Sequence, residues 1–299
     1  MATTTDYLKL HFIVFLWGFT AILGLLISIP FVEMVFFRTL LAAMGMGIVI
    51  LYTRDSLKIS TGDGIKLILI GFIVSFHWLA FFGSARVSNA SVSLVGFATN
   101  SLWAAILEPW MNRRRIKKFE LLLGLMVIGG LYIIFSFDFE YTYGLILGIA
   151  AGFAAALFSV LNAKVVHRIN AYTITFYEMV GAFLGTSIFL FINQFLNADS
   201  ITINLSPTLT DWMYITILAL ACTVYAFSMA IKLMKTLTVF FIQLTLNLEP
   251  VYGIIMALII LGDTEKMGIN FYAGTLIILC AVLIYPVLKR KFDKPSFIR

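Results

Sequence analysis

The stretches FFRTLLAAMG at residues 36–45 and FYEMVGAFLG at residues 176–185 decide the fold of this chain. They share phenylalanine, alanine and glycine at their first, seventh and tenth positions. Each carries a charged residue, Arg38 or Glu178, at the third position of an otherwise apolar run. A lone charge in hydrocarbon costs about 2.5–3.5 kcal/mol on insertion scales, so each charge needs a partner or a polar cavity. We interpret the two stretches as equivalent parts of a repeated membrane-spanning unit.

The composition indicates an integral membrane protein, because 61% of the 299 residues are hydrophobic and only 12% are charged. About 20 apolar residues in a helix cross a hydrocarbon core about 30 Å thick. Alternating segments of the kind that form membrane barrels are absent from the sequence. The predicted fold is therefore all-α with ten transmembrane helices. The predicted spans are 10–29, 31–52, 65–85, 88–110, 119–137, 143–163, 171–192, 212–234, 237–262 and 269–288.

Further matches between the two parts of the chain occur in the same order. ATNSLW around Asn100 parallels TLNLEP around Asn247, 147 positions later, and Gly124 parallels Gly274, 150 positions later. The two charged stretches lie 140 positions apart. Offsets that change so little along the chain indicate two homologous halves of five helices each.

Five is an odd number, so the second half enters the membrane in the opposite orientation to the first. The predicted architecture is a five-plus-five inverted repeat. Residues 1–116 and 117–137 form the first repeat, and residues 138–299 form the second, which ends in a basic cytoplasmic tail. Inverted repeats are common in secondary transporters, whose substrate site lies between the halves near the bilayer midplane.

The distribution of lysine and arginine predicts the orientation, because cytoplasmic loops retain these residues. With the N-terminus inside, 18 basic residues lie on the cytoplasmic side and only Arg86 and Lys266 lie outside. Both termini are therefore expected to be cytoplasmic, and we expect a multi-pass protein of the plasma (cell inner) membrane. The net charge of +6 then describes a membrane-facing surface, and no nucleic-acid partner is expected.

The sequence resembles the drug/metabolite transporter superfamily in its EamA-type branch. The resemblance depends on Trp17-Gly18 in the first span, LNLEPVYGIIMALIILGDTE at residues 246–265, GTLIILCAVLIY at residues 274–285 and the five-plus-five plan. It implies a secondary transporter of small organic metabolites that works by alternating access between inverted halves.

Arg38 and Glu178 have two competing interpretations. Their equivalent positions in the repeat favour a structural ion pair that joins the halves, and such a pair can specify an arrangement while adding little stability. The alternative places Arg38 on the transport pathway, where it contacts a substrate carboxylate. Arg38 also lies only seven residues from the start of its span, which would let the side chain extend to the membrane face.

Glu249 precedes Pro250, which should bend the ninth helix and open a polar niche. This position makes Glu249 a candidate for proton coupling, and the alternative is a carboxyl that only satisfies the broken backbone. Candidate substrate-binding residues are the polar and aromatic side chains within the spans, each of which has a packing role as its alternative. They are Trp17, His77, Trp78, Asn100, Trp103, Tyr177, Tyr225 and Asn247.

The sequence lacks the motifs of hydrolases and phosphate-binding loops, and its three histidines are far apart. We expect no enzyme activity, no cofactor and no metal, since Cys222 and Cys280 lie within spans as isolated thiols. The predicted function is export or exchange of small metabolites such as amino acids. A sugar-phosphate or nucleotide-sugar carrier of the same superfamily is the alternative, and an intramembrane enzyme or scaffold is a remote one. The oligomeric state is left open.

The orientation can be tested by labelling introduced cysteines with a membrane-impermeant thiol reagent. In intact cells, a cysteine at Asn112 should resist the reagent because the basic connector is cytoplasmic, and a cysteine at Asp199 should react. The reverse pattern would contradict the orientation.

Overall fold

The computed structural model of this chain describes residues 2–135, 141–196, 203–249, 252–253 and 268–292. These residues are mainly helical and include no β-strand. The helices are α1 (Thr4–Gly18), α2 (Thr20–Leu26), α3 (Phe31–Thr53), α4 (Thr61–Val87), α5 (Ala90–Phe97), α6 (Asn100–Met111), α7 (Lys118–Phe135), α8 (Thr142–Val165), α9 (Ala171–Leu196), α10 (Leu209–Ala219), α11 (Ala226–Leu233), α12 (Val239–Leu246) and α13 (Ile269–Phe292).

Seven helical segments in the described residues are long and apolar enough to cross a membrane, which confirms the predicted class. They are Thr4–Leu26, Phe31–Thr53, Thr61–Val87, Ala90–Met111, Thr142–Val165, Ala171–Phe195 and Leu209–Leu233. They match the first four predicted spans and the sixth to eighth. The fifth and tenth spans overlap α7 and α13, and the ninth begins in α12 and continues outside the described residues. The total of ten transmembrane helices stays a prediction.

Several of the apolar segments are interrupted. A π-helical turn at Leu220–Tyr225 joins α10 to α11. The eight-residue helices α5 and α12 each start after a side-chain cap and end in a short turn before Asn100 and Glu249 respectively. The two helices begin 149 positions apart. When the two helices are superimposed by their first residues, Asn100 is equivalent to Glu249. The sequence match had instead made Asn100 equivalent to Asn247.

Glycines bring α4 and α9 into backbone contact. A Cβ atom on Gly71 would lie 2.3 Å from the carbonyl oxygen of Glu178 and 2.7 Å from the Cα atom of Gly181. A Cβ atom on Gly181 would lie 2.2 Å from the carbonyl oxygen of Ile68. Small residues permit this approach, which is the usual basis of tight helix packing in membranes. The crossing fixes the first half of the chain against the second.

Side-chain hydrogen bonds join the loops at one end of the helices. Arg168 donates to both carboxylate oxygens of Asp63, at 2.5 and 2.6 Å, and these bonds raise the pKa of Arg168. Lys164 donates to the carbonyl of Met111 at 2.9 Å. Glu108 accepts a hydrogen bond from the backbone amide of Phe240, the second residue of α12. The basic connectors of the sequence therefore gather at this end, which we call the basic end.

A second set of bonds closes the opposite end. The backbone amide and the hydroxyl of Ser28 both donate to Asp211 at 2.6 Å. Arg86 donates to the carbonyl oxygens of Gly24 at 3.0 Å and of Ile29 at 3.2 Å, and also to that of Ile27. The segment after α2 is thereby tied to α4 and α10.

Replacing Gly71 with alanine should lower the stability of the protein by about 1–3 kcal/mol, because the added methyl group meets backbone atoms that cannot rotate away. The measurement is thermal unfolding of the purified protein in detergent. Gly62→Ala on the same helix is the matched control, since nothing lies within 4 Å of its Cβ position. Equal unfolding temperatures for the two variants would contradict the close crossing.

Candidate functional site

A cavity lies among α1–α5, α8, the π-helical turn, α11 and α12. Its wall is mainly aromatic and aliphatic, with a few polar side chains. The lining residues are Trp17, Thr20, Arg38, His77, Trp78, Phe81, Phe97, Ala155, Phe158, Ser159, Cys222, Phe227, Ala230, Ile231, Met234, Ile242, Gln243, Leu246 and Glu249. Five of the sequence-predicted residues are therefore brought together, namely Trp17, Arg38, His77, Trp78 and Glu249.

Arg38 is almost fully buried, with 2% of its surface exposed. Its Nε donates to the hydroxyl of Thr223 in the π-helical turn at 3.0 Å. The guanidinium carbon lies 4.2 Å from the ring centroid of Trp78 and 5.5 Å from that of Phe82. Among the described residues no carboxylate forms a salt bridge with Arg38. The cation is therefore stabilised by aromatic faces and one hydroxyl, and its remaining N–H donors are available to an anion.

The structure does not contain the direct ion pair between Arg38 and Glu178 that the repeat favoured. Glu178 is fully buried and accepts a hydrogen bond from Nδ2 of Asn162 at 3.2 Å. It does not line the cavity. Arg38 extends towards α4 and the π-helical turn, whereas Glu178 extends towards α8, so equivalent positions in the repeat lie on different faces. The pathway interpretation of Arg38 agrees with its place in the cavity wall.

Glu249 also reaches the cavity with 3% of its surface exposed. Within the described residues its carboxyl group has no hydrogen-bond partner. Its backbone lies beside the break between α1 and α2, where a Cβ atom on Gly18 would be 3.4 Å from the Glu249 carbonyl oxygen. The predicted bend at Pro250 lies outside the described residues. Arg38 and Glu249 give the cavity one cationic group and one acidic group.

His77 and Trp17 are held in place by backbone carbonyls. Nδ1 of His77 lies 2.9 Å from the carbonyl oxygen of Ala151, and since a carbonyl only accepts, Nδ1 carries the proton. Nε1 of Trp17 donates to the carbonyl of Cys222 at 2.8 Å. That carbonyl belongs to the π-helical turn, and such turns are frequent at functional sites.

Asn100, Trp103 and Asn247 do not line the cavity. Both amide atoms of Asn100 are buried and have no hydrogen-bond partner among the described residues, and the same holds for Nε1 of Trp103. Nδ2 of Asn247 donates to the hydroxyl of Ser101 at 2.8 Å. Asn247 and Ser101 thus join the two interrupted segments α5–α6 and α12.

The two predicted tyrosines lie away from the cavity as well. The hydroxyl of Tyr177 donates to the carbonyl of Leu57 at the basic end, at 3.1 Å. Tyr225 is 41% exposed and packs its ring edge-on against Phe12, with centroids 6.0 Å apart. Both positions fit the packing role that was the alternative for each residue.

Sequence reasoning missed Gln243 and Ser159, which are polar members of the cavity wall. Nε2 of Gln243 donates to the hydroxyl of Ser159 at 2.6 Å and to the carbonyl of Ala155 at 3.3 Å. Its Oε1 atom is buried and has no partner within the described ranges, so it can accept a hydrogen bond from a solute. The signal was a lone glutamine in the apolar run VFFIQLTL at residues 239–246.

The profile of the EamA-like transporter family matches the chain twice, over residues 7–136 and 142–285. The chain belongs to this family. The match confirms the resemblance found in the sequence. The fold of this EamA-like transporter is also similar to that of a solved structure titled "Crystal structure of protein", with a TM-score of 0.71 and 15% identity over 98% of this chain and 100% of the other. Comparison with curated proteins gives no match.

The wall of the cavity in this EamA-like transporter includes residues near the basic end and residues deeper in the helices. Met234 directly follows α11, and Ile242 lies in the first turn of α12, both near the basic end. Arg38 lies seven residues from the opposite end of α3. The cavity wall therefore reaches Arg38 from the basic end, and the contacts of Arg86 and Asp211 lie beyond it.

Proposed function

We propose that this membrane transporter is a secondary transporter of small organic metabolites such as amino acids, and that it acts as an exporter or exchanger by alternating access. The observation that carries the proposal is the buried guanidinium of Arg38, which lines the cavity and has no carboxylate partner among the described residues. Intramembrane charges of this kind mark substrate or ion pathways.

The packing of the helices supports ten spans in two inverted halves, residues 1–137 and 138–299. If the spans are numbered one to ten, α3 packs on α9, α6 on α12 and α7 on α13, so spans two, four and five each contact their counterparts five positions later. Span three packs on spans six and seven, and span eight packs on spans one and two. A pseudo-twofold axis in the membrane plane would produce this set of contacts, which therefore supports the inverted repeat.

The charges of the cavity favour a zwitterionic solute. Arg38 is suited to a carboxylate, because a guanidinium binds planar anions through two parallel hydrogen bonds. Glu249 is suited to an ammonium group, and the free oxygen of Gln243 adds an acceptor. The aromatic wall suits an apolar side chain. A sugar phosphate or nucleotide sugar calls for several cations, and Arg38 is the only lysine or arginine in the described wall.

The conformation supports an inward-facing state in the plasma (cell inner) membrane with both termini in the cytoplasm. The basic end then faces the cytoplasm, in agreement with the positive-inside rule. The cavity wall includes Met234 and Ile242 near that end, and the bonds of Arg86 and Asp211 join the segments at the opposite end. Outward opening requires those bonds to break.

Proton coupling through Glu249 completes the proposal. A carboxyl group in the cavity can bind either a proton or the ammonium group of a solute, so the two compete. Each bound form then biases the balance between inward-facing and outward-facing states. Such competition suits an exporter driven by the proton gradient.

Arg38→Gln should reduce transport of amino acids in proteoliposomes by about 10-fold or more, the loss expected when hydrogen bonds worth about 1.5–3 kcal/mol to a charged group are removed. Substrates are first chosen by thermal shift, since a bound solute raises the unfolding temperature. Lys66→Gln, an exposed cation on α4, is the control and should leave transport unchanged. Transport by Arg38→Gln at the parent rate would overturn the role of Arg38.

Glu249→Gln should retain the fold but lose the acceleration of transport by an imposed pH gradient, because the amide cannot exchange a proton. The measurement is flux in proteoliposomes with and without the gradient. Glu33→Gln is the matched control, since Glu33 is also buried but bonds to the backbone amide of Asn204 outside the cavity. An unchanged response in Glu249→Gln would make Glu249 a structural residue beside the helix break.

A further inference from the structure

A second carboxyl group, that of Glu178, is buried outside the cavity. It lies seven residues after the start of α9 and has 0% of its surface exposed. The hydrogen bond from Nδ2 of Asn162 to its Oε2 atom, at 3.2 Å, comes from a neutral amide. No cation among the described residues forms a salt bridge with it. A buried carboxylate without a counter-ion is strongly disfavoured, and such a group neutralises by binding a proton.

The hydrogen bonding between Glu178 and Asn162 is incomplete. Oε1 of Glu178 and Oδ1 of Asn162 are both buried, and neither has a hydrogen-bond partner in the part of the chain that the structure describes. An ionised carboxylate and an amide oxygen are both acceptors, so neither can satisfy the other. A single proton on Oε1 would remove both defects if its O–H group donated to Oδ1 of Asn162, whose amide already bonds to the other carboxylate oxygen. The existing bond from Nδ2 to Oε2 then closes a cyclic acid–amide pair.

We propose that Glu178 and Asn162 form a proton-binding site, separate from the cavity, in which Glu178 is a protonated acid. The proton comes from water, resides on Oε1 and is shared with Oδ1 of Asn162. This inference does not depend on the solute or on the role of Glu249.

The site lies close to the cavity without belonging to it. Ser159, which lines the cavity, precedes Asn162 by three residues on α8, about 4.5 Å along the helix axis. Neither Asn162 nor Glu178 lines the cavity. A solute bound beside Ser159 is therefore about one helical turn from the proposed proton.

The neighbouring charged groups leave Glu178 without an alternative partner. The charged and titratable side chains on the helices packed around α9 have other contacts or extend into solvent. Arg38 bonds to Thr223, Glu33 to the amide of Asn204, His77 to Ala151, Asp63 to Arg168, Arg86 to the carbonyls of Gly24 and Ile29, and Lys164 to Met111, while Lys66 and Lys232 are exposed. None of these groups hydrogen-bonds or ion-pairs with Glu178 in the described residues. The proton is thus the cation that completes the site.

Infrared spectroscopy of the purified transporter in lipid nanodiscs at neutral pH tests the proposal. The carbonyl stretch of a protonated acid lies above the amide band and shifts in heavy water. Glu178→Gln should lose one such band, while its amide N–H still bonds to Oδ1 of Asn162 and preserves the fold. Glu108→Gln is the control and should lose none, because Glu108 accepts a backbone hydrogen bond at the basic end.

A second variant keeps the test decisive if Glu178→Gln fails to accumulate. Asn162→Leu should retain the acid band and shift it to higher frequency, because the acid loses its acceptor. A parent spectrum without the Glu178 band, or a band unmoved in Asn162→Leu, would overturn the proposal. A band that appears only after sodium is removed would instead assign the two oxygens to a sodium ion. The spectra are recorded without solute, so a failure of the proposed transport activity does not affect the result.

Discussion

The burial of a guanidinium without a counter-ion is the constraint on which the cavity depends. Removing an ion from water costs several kcal/mol even after the protein relaxes. Contact with a desolvated aromatic face returns about 2 kcal/mol, and a hydrogen bond to the charged group returns about 1.5–3 kcal/mol. Trp78 and Thr223 supply these two contacts to Arg38. The part of the desolvation cost that these two contacts do not offset can be offset by an anionic group that enters the cavity.

The helices around the cavity are arranged to hold those contacts. Trp78 lies on α4, which is fixed against α9 by the glycine crossing at Gly71 and Gly181. Thr223 lies in the π-helical turn, whose carbonyl at Cys222 also holds Trp17. Arg38 therefore lies between a rigidly packed helix, α4, and an irregular stretch of backbone, the π-helical turn. The irregular side supplies the Thr223 hydroxyl to Arg38 and the Cys222 carbonyl to Trp17, and the rigid side positions the aromatic ring.

The sequence predicted the membrane segments well and the site only in part. Hydrophobicity locates a span because the bilayer requires its length, and the seven apolar segments of the structure agree with the predicted ones. The repeat placed Arg38 and Glu178 at equivalent depths but carried no information on the direction of each side chain, so the direct ion pair was wrong. The match of Asn100 to Asn247 was shifted by two residues, because helix interruptions leave no clear sequence signal. Gln243 was missed because a lone glutamine in an apolar helix has many packing roles.

The uncompensated charge of Arg38 also connects the cavity to the electric field of the membrane. Moving one elementary charge through the full membrane potential changes the free energy by about 2.3 kcal/mol per 100 mV. Arg38 lies seven residues from one end of a 23-residue helix, so it lies within the region where this potential falls. If the cavity opens alternately to the two sides of the membrane, as proposed, the position of this charge within the field changes with each opening. Membrane voltage would then act on the balance between the two conformations, even when the solute itself carries no net charge.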